Sequence, residues 1–173
     1  IAKTFSDLDV KFNRPGGMTP EQQVQWDAYY APRNAEFEKA NLTGKDLVRW
    51  KYQRYMQDYL ATVQSVDDNI GRLLTFLDRE NLTKNTIVIY TSDQGFYLGE
   101  HGLFDKRFMY EESLRTPVLM RWPGTIKPGT RIDALVQNID LAPTLLTAAG
   151  ITVPKEVQGV PLQPVLGGTI PTN

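Results

Sequence analysis

The chain has 173 residues, 41% of them hydrophobic and 23% charged, enough for one ordinary globular core or part of a larger one. Nineteen Lys and Arg against 20 Asp and Glu leave a formal net charge of -1, which gives no sign of the broad basic surface used to bind nucleic acid. Without Cys there are no disulfides and no thiolate metal sites, and no apolar run approaches the roughly 20 residues that span a bilayer.

In chain order, residues 1–18 show little periodicity and are expected to form an irregular lead segment. A helical region follows over 19–85. Thr19-Pro20-Glu21-Gln22 starts its first helix, with Thr19 as cap, Pro20 at the first helical position and Gln22 in the reciprocal capping position; this helix is expected to end near Pro32. The second helix is expected from about Thr43–Asp46 to Arg79. Its stripe of Tyr52, Tyr55, Tyr59, Val63, Val66, Ile70, Leu73 and Leu77 is assigned to core packing rather than to a carbohydrate platform. Gly71 is expected to permit close approach of a neighbour. Asp67 and Asp68 diverge by about 100° around the helix and belong to a solvated face rather than to a metal site. Asn41-Leu42-Thr43 and Asn81-Leu82-Thr83 fit the glycosylation pattern, but a capping role for Thr43 and a turn role for Asn81 are the simpler readings.

A strand-loop-helix region follows over 86–168. Thr86-Ile87-Val88-Ile89-Tyr90 is apolar, β-branched and non-alternating, as in a strand of a parallel sheet covered on both faces. Further strands are expected at Pro117–Arg121 and Ile132–Val136, with a short turn or helix around Tyr110–Ser113. Asp140 is expected to cap a helix from Leu141 to Ala149 that stops at Gly150, and Pro154, Gly159, Pro161 and Pro164 punctuate an irregular tail. Helix leading to strand in this order predicts an α/β sandwich with a central, mostly parallel sheet.

The chemistry is concentrated between Thr91 and Lys106. Asp93 and Gln94 emerge at the carboxyl end of the 86–91 strand, where ligands bind in open α/β sheets; a carboxylate and an amide oxygen there suit a hard divalent cation. Gly95, Gly99 and Gly102 let the backbone fold closely over them. The plainer reading of Asp93 is a turn cap, and of Lys106 an ordinary exposed lysine. His101, the single histidine, is open between contact with substrate and a structural hydrogen bond.

The run Asp93-Gln94-Gly95 to Lys106, with Tyr110-Glu111-Glu112-Ser113, Arg115-Thr116-Pro117, Arg121-Trp122-Pro123-Gly124 and Asn138-Ile139-Asp140-Leu141-Ala142-Pro143-Thr144, resembles the sulfatase family of the alkaline-phosphatase-like superfamily. The resemblance extends through Trp50–Tyr55 and covers nearly the whole chain. It implies that Asp93 and Gln94 are metal ligands and that Lys106 binds the sulfate group. His101 corresponds less directly and is read as a proton donor to the leaving alcohol or a sulfate contact. Glu100, Tyr110, Glu111, Glu112 and Arg115 are expected to support the loop. Oxygen donors favour Ca2+, with Mg2+ as the alternative.

The family's nucleophile is a formylglycine made from Cys or Ser in a Cys/Ser-x-Pro-x-Arg motif, and no window of this sequence contains it. That motif and two further acidic ligands are expected upstream of Ile1, and residues 1–173 alone are expected to be inactive. Asp105-Lys106-Arg107 and Met109-Tyr110-Glu111 resemble sulfatases acting on 6-sulfated N-acetylglucosamine or related glycosaminoglycan units, so the expected ligand is a sulfated small molecule or glycan and the expected compartment periplasmic or extracellular. The alternatives are a phosphate or phosphonate monoester hydrolase of the same superfamily and a non-catalytic sulfated-glycan-binding protein.

Overall fold

A computed structural model describes residues 3–4 and 15–167, the first two by backbone alone. In chain order the elements are β1 (Lys3–Thr4), α1 (Pro20–Ala40), α2 (Gly44–Arg79), β2 (Val88–Thr91), β3 (Tyr97–Leu98), β4 (Leu103–Asp105), α3 (Glu111–Leu114), β5 (Val118–Arg121), α4 (Leu141–Ala148) and α5 (Gln163–Leu166). They fall into two compact units, one drawn from Ile1–Asp68 and Gln94–Arg115, the other from Asn69–Asp93 and Thr116–Asn173.

In the first unit, α1 begins as its sequence predicts. The Gln22 N–H donates to Thr19 Oγ1 at 3.3 Å, and the Thr19 N–H donates to Gln22 Oε1 at 2.9 Å. The predicted stop near Pro32 does not occur, for α1 runs through the proline to Ala40. A proline inside a helix costs about 3 kcal/mol, and contacts on both sides of it offset that cost. Before it, the Tyr30 hydroxyl donates to Asp58 at 3.0 Å; after it, Asn34 accepts from Arg54 at 3.3 Å and the Phe37 ring stacks on Trp50 at 3.9 Å. Burial, and then the Asp58 carboxylate, push the Tyr30 phenol above its ordinary value. Asn41 ends α1 in the left-handed conformation, with φ 44°.

Thr43 immediately precedes α2, and its carbonyl accepts from the Leu47 N–H at 3.3 Å. The predicted stripe of α2 is only partly covered. Tyr52, Tyr55, Tyr59 and Ile70 are half-buried and Leu77 is buried, but Val63, Val66 and Leu73 are 47%, 42% and 51% exposed. Helical spacing fixes which side chains share a face; it does not fix what covers that face. The close approach expected at Gly71 is not seen among the described residues, none of which lies within 4 Å of the place a Cβ would take. Asp67 and Asp68 lie on a solvated face, where Asp68 accepts from Gln64 at 2.8 Å.

The segment expected as a plain loop over 95–106 forms a hairpin instead. β3 and β4 pair antiparallel, Tyr97 opposite Asp105 and Leu98 opposite Phe104, and β1 adds to the other edge of β4. The lead segment thus contributes a strand at Lys3–Thr4, while residues 5–14 lie outside the described residues. Strands of two or three residues contain too few alternating positions for periodicity to reveal them.

In the second unit, the expected strands over 86–91 and 117–121 form as β2 and β5. They pair antiparallel, Val88 opposite Arg121 through Thr91 opposite Val118, and among the described residues β2 has no parallel neighbour. The strand expected over Ile132–Val136 is not formed: this segment joins no ladder among the described residues, and Leu135 is 93% exposed. Asn81, at φ 58°, takes the turn role expected of it.

The expected cap of α4 by the Asp140 side chain is not formed. The Asp140 backbone is already helical, and its carboxylate turns back to accept from the Gln137 N–H at 2.8 Å and the Val160 N–H at 2.9 Å. Thr144, fully buried, donates to the Asp140 carbonyl at 2.6 Å and accepts from the Leu162 N–H at 2.8 Å. These bonds fasten the tail to the start of α4. The helix ends as predicted at Gly150, whose φ of 72° lets the Gly150 and Ile151 N–H groups bond the carbonyls of Thr147 and Leu146 at 3.0 and 2.9 Å.

Candidate active site

The residues selected from the sequence occupy the end of β2 in the second unit and the hairpin with α3 in the first. Asp93 is exposed in the second unit, two residues after the end of β2. The preceding carbonyl, that of Ser92, accepts from Asn138 Nδ2 at 3.2 Å, which anchors the end of the strand.

In the first unit the hairpin and α3 bring Gln94 and Lys106 together across twelve positions of sequence: the Lys106 ammonium donates to Gln94 Oε1. Their main chains are held by α3. The Gly95 N–H donates to the Ser113 carbonyl at 2.7 Å, and the Ser113 hydroxyl donates to the Lys106 carbonyl at 2.6 Å. The fit at residue 95 admits only glycine, because a Cβ there would meet the Glu112 carbonyl oxygen at 2.1 Å.

Beside Lys106 stands Asp105, a non-glycine residue at φ 111°. Such backbone costs of order 1–3 kcal/mol and persists where surrounding bonds over-determine it. Here one carboxylate oxygen accepts from the Lys106 N–H at 2.8 Å, and the other pairs with Arg107 Nε at 2.8 Å. The Asp105 carboxylate thereby fixes the peptide that carries Lys106 and neutralises the neighbouring guanidinium, leaving the Lys106 ammonium exposed to solvent.

His101 lies at the hairpin turn in left-handed backbone, φ 57°. Its ring stacks on Tyr110 at 4.4 Å, and Nε2 meets Glu112 Oε2 at 3.2 Å. The structural hydrogen bond considered for His101 is therefore present. The Glu112 carboxyl is held below the ordinary carboxylate range chiefly by its own backbone N–H and further by His101, with desolvation opposing. Beneath this turn, Tyr97 is fully buried and its hydroxyl donates to the Phe108 carbonyl. Glu112 and Tyr110 support the loop as expected, and Glu100 does so by accepting from the Leu98 N–H at 2.6 Å.

Sequence reasoning misses Ser113 and Asp105 as site residues. Both lie inside legible motifs, Tyr110–Ser113 and Asp105–Arg107, but their roles arise from bonds to main chain, which residue type alone does not reveal. Among the described residues no three acidic, His or Cys groups gather as a metal cluster. No helix among them is long and apolar enough to cross a membrane.

Comparison with known proteins adds three kinds of likeness. The family described as "N-sulphoglucosamine sulphohydrolase, C-terminal" matches residues 99–173. An N-acetylglucosamine-6-O-sulfatase of Bacteroides thetaiotaomicron is 56% identical over 86% of this chain, which spans 27% of that relative's length. A solved structure of a protein in complex with its substrate D-glucosamine-2-N,6-O-disulfate matches with a TM-score of 0.83 at 55% identity, covering 88% of this chain and 31% of that one. A phosphonate monoester hydrolase from Silicibacter pomeroyi matches with a TM-score of 0.69 at 32% identity, covering 78% of this chain and 26% of that one.

Proposed function

The chain belongs to the sulfatase family, of alkaline-phosphatase-like fold, and from that premise we propose that the full-length protein hydrolyses a sulfate ester at O6 of a glucosamine unit, with part of its active site supplied by this chain. The observation that carries this reading is the Lys106 bond to Gln94, which joins two residues that the family motif assigns to sulfate and metal. The substrate is taken from the Bacteroides relative and from the solved neighbour with its disulfated glucosamine. A net charge of -1 excludes no small sulfated sugar and gives no sign of the broad basic surface that nucleic acid needs. The compartment proposed on family grounds is periplasmic or extracellular, to be checked by cell fractionation.

Asp93 and Gln94, consecutive in the chain, are the proposed ligands of Ca2+, with Mg2+ as the alternative. Their donor chemistry fits, since both offer hard oxygens, and an amide oxygen has two lone pairs, so the bond from Lys106 leaves one for a cation. Two ligands are fewer than the six to eight that calcium takes, so this chain supplies only part of the shell. The cation's contribution is to neutralise sulfate charge as a Lewis acid. Lys106 binds a sulfate oxygen and stabilises the charge that grows as the S–O bond breaks. His101, whose Nε2–H meets the Glu112 carboxylate, would in its imidazolium form carry a second proton on Nδ1 to give to the leaving alcohol or to share with a sulfate oxygen. No residue of this chain fits the formylglycine motif, so residues 1–173 alone are proposed to be without turnover.

The test is to assay the full-length protein in parallel on N-acetylglucosamine-6-sulfate, an aryl sulfate and an aryl phosphonate monoester, with Lys106→Ala and Asp93→Asn beside it. Sulfate hydrolysis that both variants lose, and calcium content that Asp93→Asn loses, support the reading. A preference for the phosphonate ester would favour the rival suggested by the Silicibacter likeness. Binding of the sulfated sugar without turnover would favour a glycan-binding role.

A further inference from the structure

We infer that Ser113 is a positioning residue that sets the sulfate-binding geometry of Lys106, an inference that rests on the reading of Lys106 given above. The bonds around it close a circuit. Gln94 is bonded through its side chain to the Lys106 ammonium; the Lys106 carbonyl accepts from Ser113 Oγ at 2.6 Å; the Ser113 carbonyl accepts from the Gly95 N–H at 2.7 Å; and Gly95 is joined covalently to Gln94. One residue, through its hydroxyl on one side and its carbonyl on the other, thus ties together the two segments, twelve residues apart, that present the amide oxygen and the ammonium.

Three further observations make this a rigid device rather than one bond among many. Ser113 is 8% exposed, so water does not replace its hydroxyl easily if it is removed. The main chain of Lys106 is fixed from the other side by Asp105, which accepts its N–H at 2.8 Å, so both polar groups of the Lys106 backbone are bonded while its ammonium, bonded to Gln94, remains exposed to solvent. Finally, α3 can hardly slide, because the Glu112 carbonyl already lies against Gly95, leaving no room there for a Cβ. Removing the Ser113 hydroxyl leaves the Lys106 carbonyl without that donor and frees the lysine to shift against Gln94. A misplacement of about 1 Å at a catalytic group can cost on the order of 100-fold in rate.

The experiment compares Ser113→Ala, Ser113→Cys and Ser113→Thr with Lys106→Ala in the full-length protein, measuring kcat and KM on N-acetylglucosamine-6-sulfate and the inhibition constant of inorganic sulfate. The expected result is a loss of about tenfold or more in kcat/KM for Ser113→Ala, with weaker inhibition by sulfate. Ser113→Thr, which keeps the hydroxyl, should restore sulfate inhibition. Ser113→Cys, of nearly the same size but a weak donor, should fall between the two and serves if the alanine variant does not fold. An unchanged sulfate inhibition constant in Ser113→Ala or Ser113→Cys, beside an impaired Lys106→Ala, overturns the inference and leaves the site reading standing. Full activity in Lys106→Ala overturns the site reading itself.

Discussion

Two polar networks organise this chain, and they differ in where they leave their charges. Around Asp140 and Thr144 every side-chain oxygen with a described role is turned inward onto backbone N–H or C=O groups; Asp140 is 6% exposed and Thr144 fully buried. Around Ser113 the bonds that fix the backbone are equally inward, yet the groups they carry, Lys106 and His101, remain exposed. The first network spends all its hydrogen-bonding capacity on the fold. The second fixes main chain in order to present side chains, which is the arrangement a binding site requires.

Substitutions in the two networks should therefore separate stability from activity. Lys106→Ala is expected to reduce kcat/KM of the full-length protein by on the order of 100-fold or more, with little change in Tm, because the exposed ammonium bears no packing. An equal loss of Tm would show that the lysine is structural. Asp140→Ala should do the opposite. It leaves two part-buried backbone N–H groups, those of Gln137 and Val160, without their acceptor and should cost about 1–3 kcal/mol of stability in denaturant unfolding, with near-normal turnover per folded molecule. A stable but inactive Asp140→Ala would erase the contrast between the networks.

Gly95→Ala should combine both effects. The added methyl lands on the Glu112 carbonyl, so α3 must move, costing about 1–3 kcal/mol as an overpacking and displacing Ser113; retention of wild-type activity would mean that the circuit tolerates slack.

The smallest effect is expected from pH. The Glu112 carboxyl is lowered in the folded protein by its own backbone N–H and by His101, so the unfolded chain binds its proton first as acid is added. Its contribution to stability is present above the ordinary value of 4.5 and is lost as pH falls through the lower folded value. Glu112→Gln should remove that part of the acid dependence of Tm; an identical acid profile in both proteins would show that the His101 pair contributes nothing.

Much of this was legible in the residues, because local bonds need only local sequence. The capping box at Thr19 and Gln22, the Gly150 stop, the strand ends at Thr91 and Arg121 and the short helix after Tyr110 follow from neighbours within a few positions. Lys106 and Gln94 lie in one legible motif, but the bond between them is a tertiary one. The passage of α1 through Pro32 was not legible, since it depends on Asp58, Arg54 and Trp50 of another helix. Nor was the hairpin over Tyr97–Asp105, whose strands are too short to show a period.

The sequence by itself thus determined the helix boundaries made by caps, the positions of the main strands and the residue types available for oxygen ligation and anion binding, because those depend on backbone sterics and side-chain chemistry. Only the tertiary structure decided that Asp140 would fasten a tail rather than cap a helix, that His101 would pair with Glu112, and that Ser113 would stand between the two segments of the site. Each of these is a choice of partner at a distance of 11 to 20 residues or across two segments, and a donor's identity does not specify which acceptor the folded chain brings to it.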